Sequence, residues 1–222
     1  MATQPLHKRL MEKYIRCSLN NQQFLPLDVI DKEITEENVK AEMKRKKFNL
    51  LNSQVPKNVV QNAKKVFTIL VIIGEPNAIK DLLSEEITDD HLPLSRRGGS
   101  IGDDVLVSSD GKEFPAFAAW DNDIRVADFL EKQWIVQAPV LDSSGGEVSL
   151  DRQCALPFLT VEEVGNGEFS TVYRSDIHPA HQKGLQVSSM ATLALTTKLR
   201  LLGGRRCGSS GSKRVQEGGT LP

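Results

Sequence analysis

Gly165 and Gly167 stand two residues apart between two apolar runs, with Val161 and Val164 before them and Phe169, Val172 and Tyr173 after. The spacing predicts a strand, a glycine-rich turn and a second strand. Closely spaced glycines leave backbone N–H groups unobstructed by side chains, so such a turn can lie against the oxygens of a phosphate. By pattern alone a hairpin turn with no ligand is the plainer reading. A dinucleotide-binding fingerprint does not fit, because that motif opens a helix and Phe169-Ser-Thr-Val-Tyr173 reads as strand.

The other residues that could do chemistry have simpler readings. His178 and His181 flank Pro179 and could share a metal, but no acidic or cysteine ligand lies nearby in sequence, so a turn between strands is expected. Glu85, Glu86, Asp89 and Asp90 lack the alternating oxygen spacing of a calcium loop and read as a solvated helix end. Cys17, Cys154 and Cys207 are far apart and form no CxxC pair, which argues against a zinc site or a disulfide framework and fits reduced thiols inside a cell.

Charge and composition narrow the classes further. A net charge of −1 and a pI near 6.4 argue against nucleic acid or an anionic membrane as the main partner. The N-terminus lacks the pattern of a secretory signal. The longest apolar run, Val66 to Ile73, is interrupted by Thr68 and too short to span a bilayer. The expectation is an intracellular protein, cytoplasmic or nuclear. Low hydrophobic content (39%) with few aromatic residues (5%) suggests that part of the chain is not packed.

The elements that would carry the glycine turn are mostly helical. Leu6, Leu10 and Tyr14 with Met11, Ile15 and Leu19 predict a helix over 4–20. Pro26 breaks the pattern, and Thr35 is a candidate N-cap for a helix bearing Val39 and Met43. That helix ends in Lys44-Arg-Lys-Lys47, which complements its dipole or, less simply, signals nuclear import. A long helix follows, from near Pro56 through Val59, Ala63, Val66, Phe67 and Leu70 to a stop at Gly74 and Pro76. Asn77 could cap another, with Ile79, Leu82, Leu83 and Ile87. Residues 1–94 are therefore expected to form a helical bundle that could serve as a protein-interaction module. Residues 95–118, rich in Arg, Gly, Ser and Asp, read as a flexible linker. Residues 119–150 predict a helix capped by Asp121 or Asn122, an extended segment Trp134–Pro139 and a joint at Asp142-Ser-Ser-Gly-Gly146. Residues 151–200 hold the hairpin and a short strand Leu193-Ala-Leu195, and 201–222 read as a disordered tail.

The longer context of the turn adds a family. Glu163-Val-Gly-Asn-Gly-Glu-Phe-Ser-Thr-Val-Tyr-Arg174 resembles the first two strands of a protein kinase, which run hydrophobic-Gly-x-Gly-x-Phe-Gly-x-Val-Tyr. With Gln133-Trp134, Ala138-Pro139 and Leu156-Pro-Phe158 before it and Ile177-His-Pro-Ala-His-Gln182 after it, the chain looks like a group of fungal serine/threonine kinase-like proteins that carry a helical N-terminal extension. The resemblance implies a mainly α N-terminal region followed by the start of a kinase N-lobe. It implies ATP with Mg2+ as ligand, held by Val164, Gly165, Asn166, Gly167, Glu168, Phe169, Ser170 and Val172. Gly165 and Gly167 would lie under the phosphates, Phe169 would fold over them, and Val164 and Val172 would touch adenine. Ser170 stands where the family usually has a third glycine.

The sequence also departs from the family. Thr196 stands where the strand lysine is expected; Lys198, two residues on, would point to the same face of a strand and could substitute. Neither a His-Arg-Asp catalytic loop nor an Asp-Phe-Gly metal motif occurs, and phosphoryl transfer needs these for positioning and charge. The expectation is a truncated kinase-family polypeptide, catalytically inactive as it stands, with no catalytic residue of its own. The alternative is a non-catalytic helical interaction or regulatory module.

Overall fold

Residues 64–72 are apolar on nearly every side, and a helix of that kind belongs in the middle of a protein. In the computed structural model it is the centre of the fold, with Val66, Phe67, Thr68, Ile69, Leu70 and Val71 all buried. The structure describes residues 4–45, 54–99, 105–120, 123–142, 151–166, 171–184 and 193–195. The expected cap at Asp121 or Asn122, the joint at 143–146, Thr196, Lys198 and the tail over 201–222 lie outside these residues.

The chain begins with α1 (Leu6–Met11), which buries Leu6 and Leu10 against the centre. The helix predicted over 4–20 stops there. Ile15–Arg16 (β1) and Gln23–Phe24 (β2) instead form a hairpin, with Ile15 opposite Phe24. Periodicity fails here because two cores divide the apolar residues: Leu6 and Leu10 enter the helical one, Cys17 and Phe24 a second. Directly after Pro26 comes α2 (Leu27–Glu33), a short helix with little apolar pattern to betray it. Thr35 caps α3 (Glu36–Arg45) as expected, its hydroxyl accepting from the Asn38 N–H at 3.3 Å.

The predicted long helix is two: α4 (Val55–Asn62) and α5 (Lys64–Ile72), broken at Ala63, whose φ is −143°. The break has a partner distant in sequence. The Asp89 carboxylate accepts from the Lys65 and Val66 N–H groups, each at 3.0 Å, and so closes the start of α5. Asp89 is therefore a capping group rather than part of a solvated helix end. Gly74, at φ +83°, stops α5 as expected: the Glu75 N–H reaches the Leu70 carbonyl and the Gly74 N–H that of Val71. A 3-10 turn over Pro76–Ala78 leads into α6 (Ile79–Ser84), so Asn77 sits inside a turn and is not the cap of that helix.

Where a flexible linker is expected, the described residues are built into the core. Ser95–Arg96 (β3), Leu106–Val107 (β4) and Glu113–Phe114 (β5) form an antiparallel meander, followed by a 3-10 turn over Pro115–Ala119. Leu106, Phe114 and Phe117 are fully buried. Helix α7 (Asp123–Lys132) adds Val126 and Phe129 to the same core, and the segment predicted to be extended begins instead with a 3-10 turn over Gln133–Val136. The Gln133 amide accepts from the Leu94 N–H at 2.7 Å and donates to the Leu94 carbonyl at 2.9 Å. Residue 94 thus lies inside the helical core, which continues through Val136.

The last described strands are Leu141–Asp142 (β6), Phe158–Asn166 (β7), Thr171–Ile177 (β8), Gln182–Lys183 (β9) and Leu193–Leu195 (β10). Strands β7, β8 and β10 form an antiparallel sheet in the order β10-β8-β7, and β9 pairs parallel with β6. Among the described residues the protein is mainly α, with small sheets attached.

Candidate functional site

The glycine turn is carried by β7 and β8, whose β-branched and aromatic residues pair antiparallel from Phe158 opposite Ile177 to Asn166 opposite Thr171. The strand–turn–strand reading therefore holds for the backbone on both sides of the turn. Cross-strand polar pairs fix the register. Arg174 Nη1 lies 3.2 Å from Glu162 Oε2, Thr160 Oγ1 donates to Asp176 Oδ2 at 2.6 Å, and the Ser175 hydroxyl donates to the Thr160 carbonyl at 2.7 Å. Strand β10 pairs with the far side of β8, Leu193 opposite Ser175 and Leu195 opposite Tyr173, and so runs toward the turn.

Two irregularities shape β7, between Phe158 and Thr160 and between Glu163 and Gly165. At the second, Glu163 faces Tyr173 and Gly165 faces Val172, leaving Val164 as an extra residue in the bulge. Bulges sharpen twist and re-aim side chains beside functional loops. Val164 is 44% exposed, uncovered by the protein's own core.

Gly165 has open space around it. Among the described residues a Cβ built there would meet nothing within 4 Å, and its φ lies outside the left-handed region. Neither packing nor backbone strain demands glycine at this position. Of the other expected ligand-binding residues, Asn166 and Val172 are placed by backbone alone at the strand ends, while Gly167, Glu168, Phe169 and Ser170 lie outside the described residues.

The root of the hairpin is held by residues the sequence did not single out. The Ser18 N–H donates to the Phe158 carbonyl at 3.1 Å, and the Ser18 hydroxyl donates to the Leu159 carbonyl at 2.6 Å. Asn20 Nδ2 donates to the Cys154 carbonyl at 3.1 Å. Beneath these bonds Cys17, Phe24, Ala138, Ala155, Leu156 and Phe158 form the second core. The helical part and the hairpin are thereby joined by polar and apolar contacts. The hydrogen bonds of Ser18 and Asn20 join residues more than 130 apart in sequence, so no local pattern could have marked them.

His178 and His181 lie on this joint. His178 caps a 3-10 turn over Pro179–His181 that ends on the second histidine, and the rings stand edge-on to Phe24 at centroid distances of 6.1 and 5.3 Å. His181 Nδ1 lies 3.0 Å from the Pro139 carbonyl, and its Nε2 accepts from the Leu27 N–H at 3.2 Å. His178 Nδ1 accepts from the Ala180 N–H. Both nitrogens of His181 are used within the fold, which gives the pair a structural role. Cys154, buried with its Sγ donating to the Gln137 carbonyl, has its thiol pushed up to about 11 by burial and next by the charge of Asp151. It stays protonated at neutral pH and is not a nucleophile.

Among the described residues no three metal-binding side chains come together, and no helix is long and apolar enough to cross a membrane. Comparison with protein-family models, curated proteins and solved structures finds no match to this chain.

Proposed function

We propose that this chain is a protein-kinase-family polypeptide in which a helical body carries the glycine-rich hairpin of a kinase N-lobe, and that the hairpin engages ATP phosphates weakly without transferring them. The observation that carries the reading is Gly165: a glycine that neither its backbone geometry nor its packing among the described residues requires, one pair before the end of the paired strands and beside an exposed bulge residue. Keeping that space empty has a use if a ligand approaches the backbone there. The meander of β7, β8 and β10 supports it further, since a third strand follows the hairpin in chain order. Weak binding is expected because Thr196 stands where the family has its strand lysine, so the phosphates would meet backbone dipoles with fewer fixed charges.

Titration of the full chain with ATP, by calorimetry and ligand-observed NMR, tests this. The expected result is millimolar, magnesium-independent binding that Gly165→Val abolishes while thermal stability stays within a degree or two. Micromolar, magnesium-dependent affinity would refute the incomplete site.

A second reading is a non-catalytic interaction module, favoured by the size of the helical core, which runs from Leu6 to Val136 and is separate from the cluster under the hairpin. No saturable ATP binding, together with a cooperatively folded body, would select it over the first.

A further inference from the structure

The joint between the helical body and the hairpin has a chemistry of its own, independent of any nucleotide. His181 is 1% exposed. Its ring touches four segments: the Leu27 N–H at the start of α2, the Pro139 carbonyl before β6, the edge of Phe24 on β2, and His178 on its own turn. One residue later the chain enters β9, whose two residues pair with β6.

The two ring nitrogens have opposite duties. A backbone N–H can only donate and a carbonyl can only accept, so Nδ1 carries the proton toward Pro139 while Nε2 offers a lone pair to Leu27. That is the neutral ring in a single tautomer. A second proton would sit on Nε2, facing the Leu27 N–H donor to donor, and would leave that N–H without its acceptor.

We propose that His181 is a proton-sensitive clasp between the hairpin and the helical body, closed while its ring is neutral and opened when the ring takes up a second proton.

On balance the surroundings disfavour that proton. Burial holds the ring below its ordinary value of 6.5; the carbonyls of Pro139 and Ala138 oppose this in part, and the charges of His178 and Lys65 add to the downward shift. Asp28, next to Leu27 on α2, is exposed to solvent. The sign follows by linkage. Below about pH 6.5 the unfolded or opened chain binds the proton before the closed form does, so closure weakens by up to about tenfold per pH unit until the closed form is itself protonated. Above that window the clasp holds fully.

The test follows the full chain by NMR from pH 7.5 to pH 4.5, reading His181 ring shifts and hydrogen exchange of the β6 and β9 amides, corrected for intrinsic rates. The ring is expected as the Nδ1–H tautomer at pH 7.5, with β6 and β9 losing protection as it titrates. His181→Gln keeps one donor and one acceptor and should flatten the pH dependence, whereas His178→Gln should retain it. Protection of β6 and β9 that persists after the ring is protonated would overturn the clasp, and so would an unchanged pH profile in His181→Gln. If that variant does not fold, the wild-type comparison decides alone: coincident midpoints for ring and amides support the clasp, and separate ones refute it.

Discussion

Asp89 shows how a residue with an obvious surface reading can be committed to the interior. Four acidic residues in a six-residue span look like a solvated helix end, and Asp89 instead supplies both carboxylate oxygens to the start of α5. Removing it in Asp89→Ala leaves two N–H groups at the head of the central helix without partners. The expected loss is about 2 kcal/mol in urea unfolding, at the upper end for a helix cap. Asp90, which is exposed, should tolerate the same change. The thiols give a second residue-scale expectation. Cys17 and Cys154 are buried, so iodoacetamide at pH 8 should leave both unmodified in the native protein and label them in urea, as peptide mass spectrometry would show. Nothing in the cysteine spacing indicates that Cys17 and Cys154 are buried.

At the scale of elements, what sequence could read was whatever one face of one element decides alone. Thr35 capping α3, Gly74 stopping α5 and strands on either side of the glycine turn are local matters, and all three stand in the structure. The break at Ala63 was not legible because its cause is a carboxylate 26 residues later. The described part of the segment 95–118 is hard to read for a related reason. Its strands are two residues long, and a few buried anchors, Leu106, Phe114 and Phe117, hold it among polar neighbours. Phe117 stacks edge-to-face with Phe129 at 4.8 Å, so Phe117→Ala should cost about 3–5 kcal/mol, which thermal unfolding would register as a marked loss of Tm. A true linker residue would show no such effect. Gln133 is a parallel case: Gln133→Ala strands both polar groups of Leu94 and should cost about 2–4 kcal/mol.

For the whole molecule, the natural unit is larger than the helical region that composition suggested. Residues Leu106 to Val136 belong to the same core as Leu6 to Leu94. A fragment of residues 1–94 should therefore show no cooperative thermal transition by circular dichroism, while 1–184 should melt as one unit. Of the candidate site, Gly165 and its strands could be read from sequence, because glycine spacing and β-branched runs are local. The joint of Ser18, Phe24 and His181 could not, since each partner is meaningless until the chain has folded back.

That folding back also sets an order of events during synthesis. The Leu27 N–H waits for a ring 154 residues downstream. At 5–20 residues per second, Phe24 and Cys17 would spend roughly 8–30 s on a ribosome-bound chain before their cover exists. The first hairpin is thus a late customer for its own core, exposed while the helical body is already assembling. A nascent chain of this protein should accordingly present its N-terminal hairpin to cellular holdases until the residues around His181 emerge.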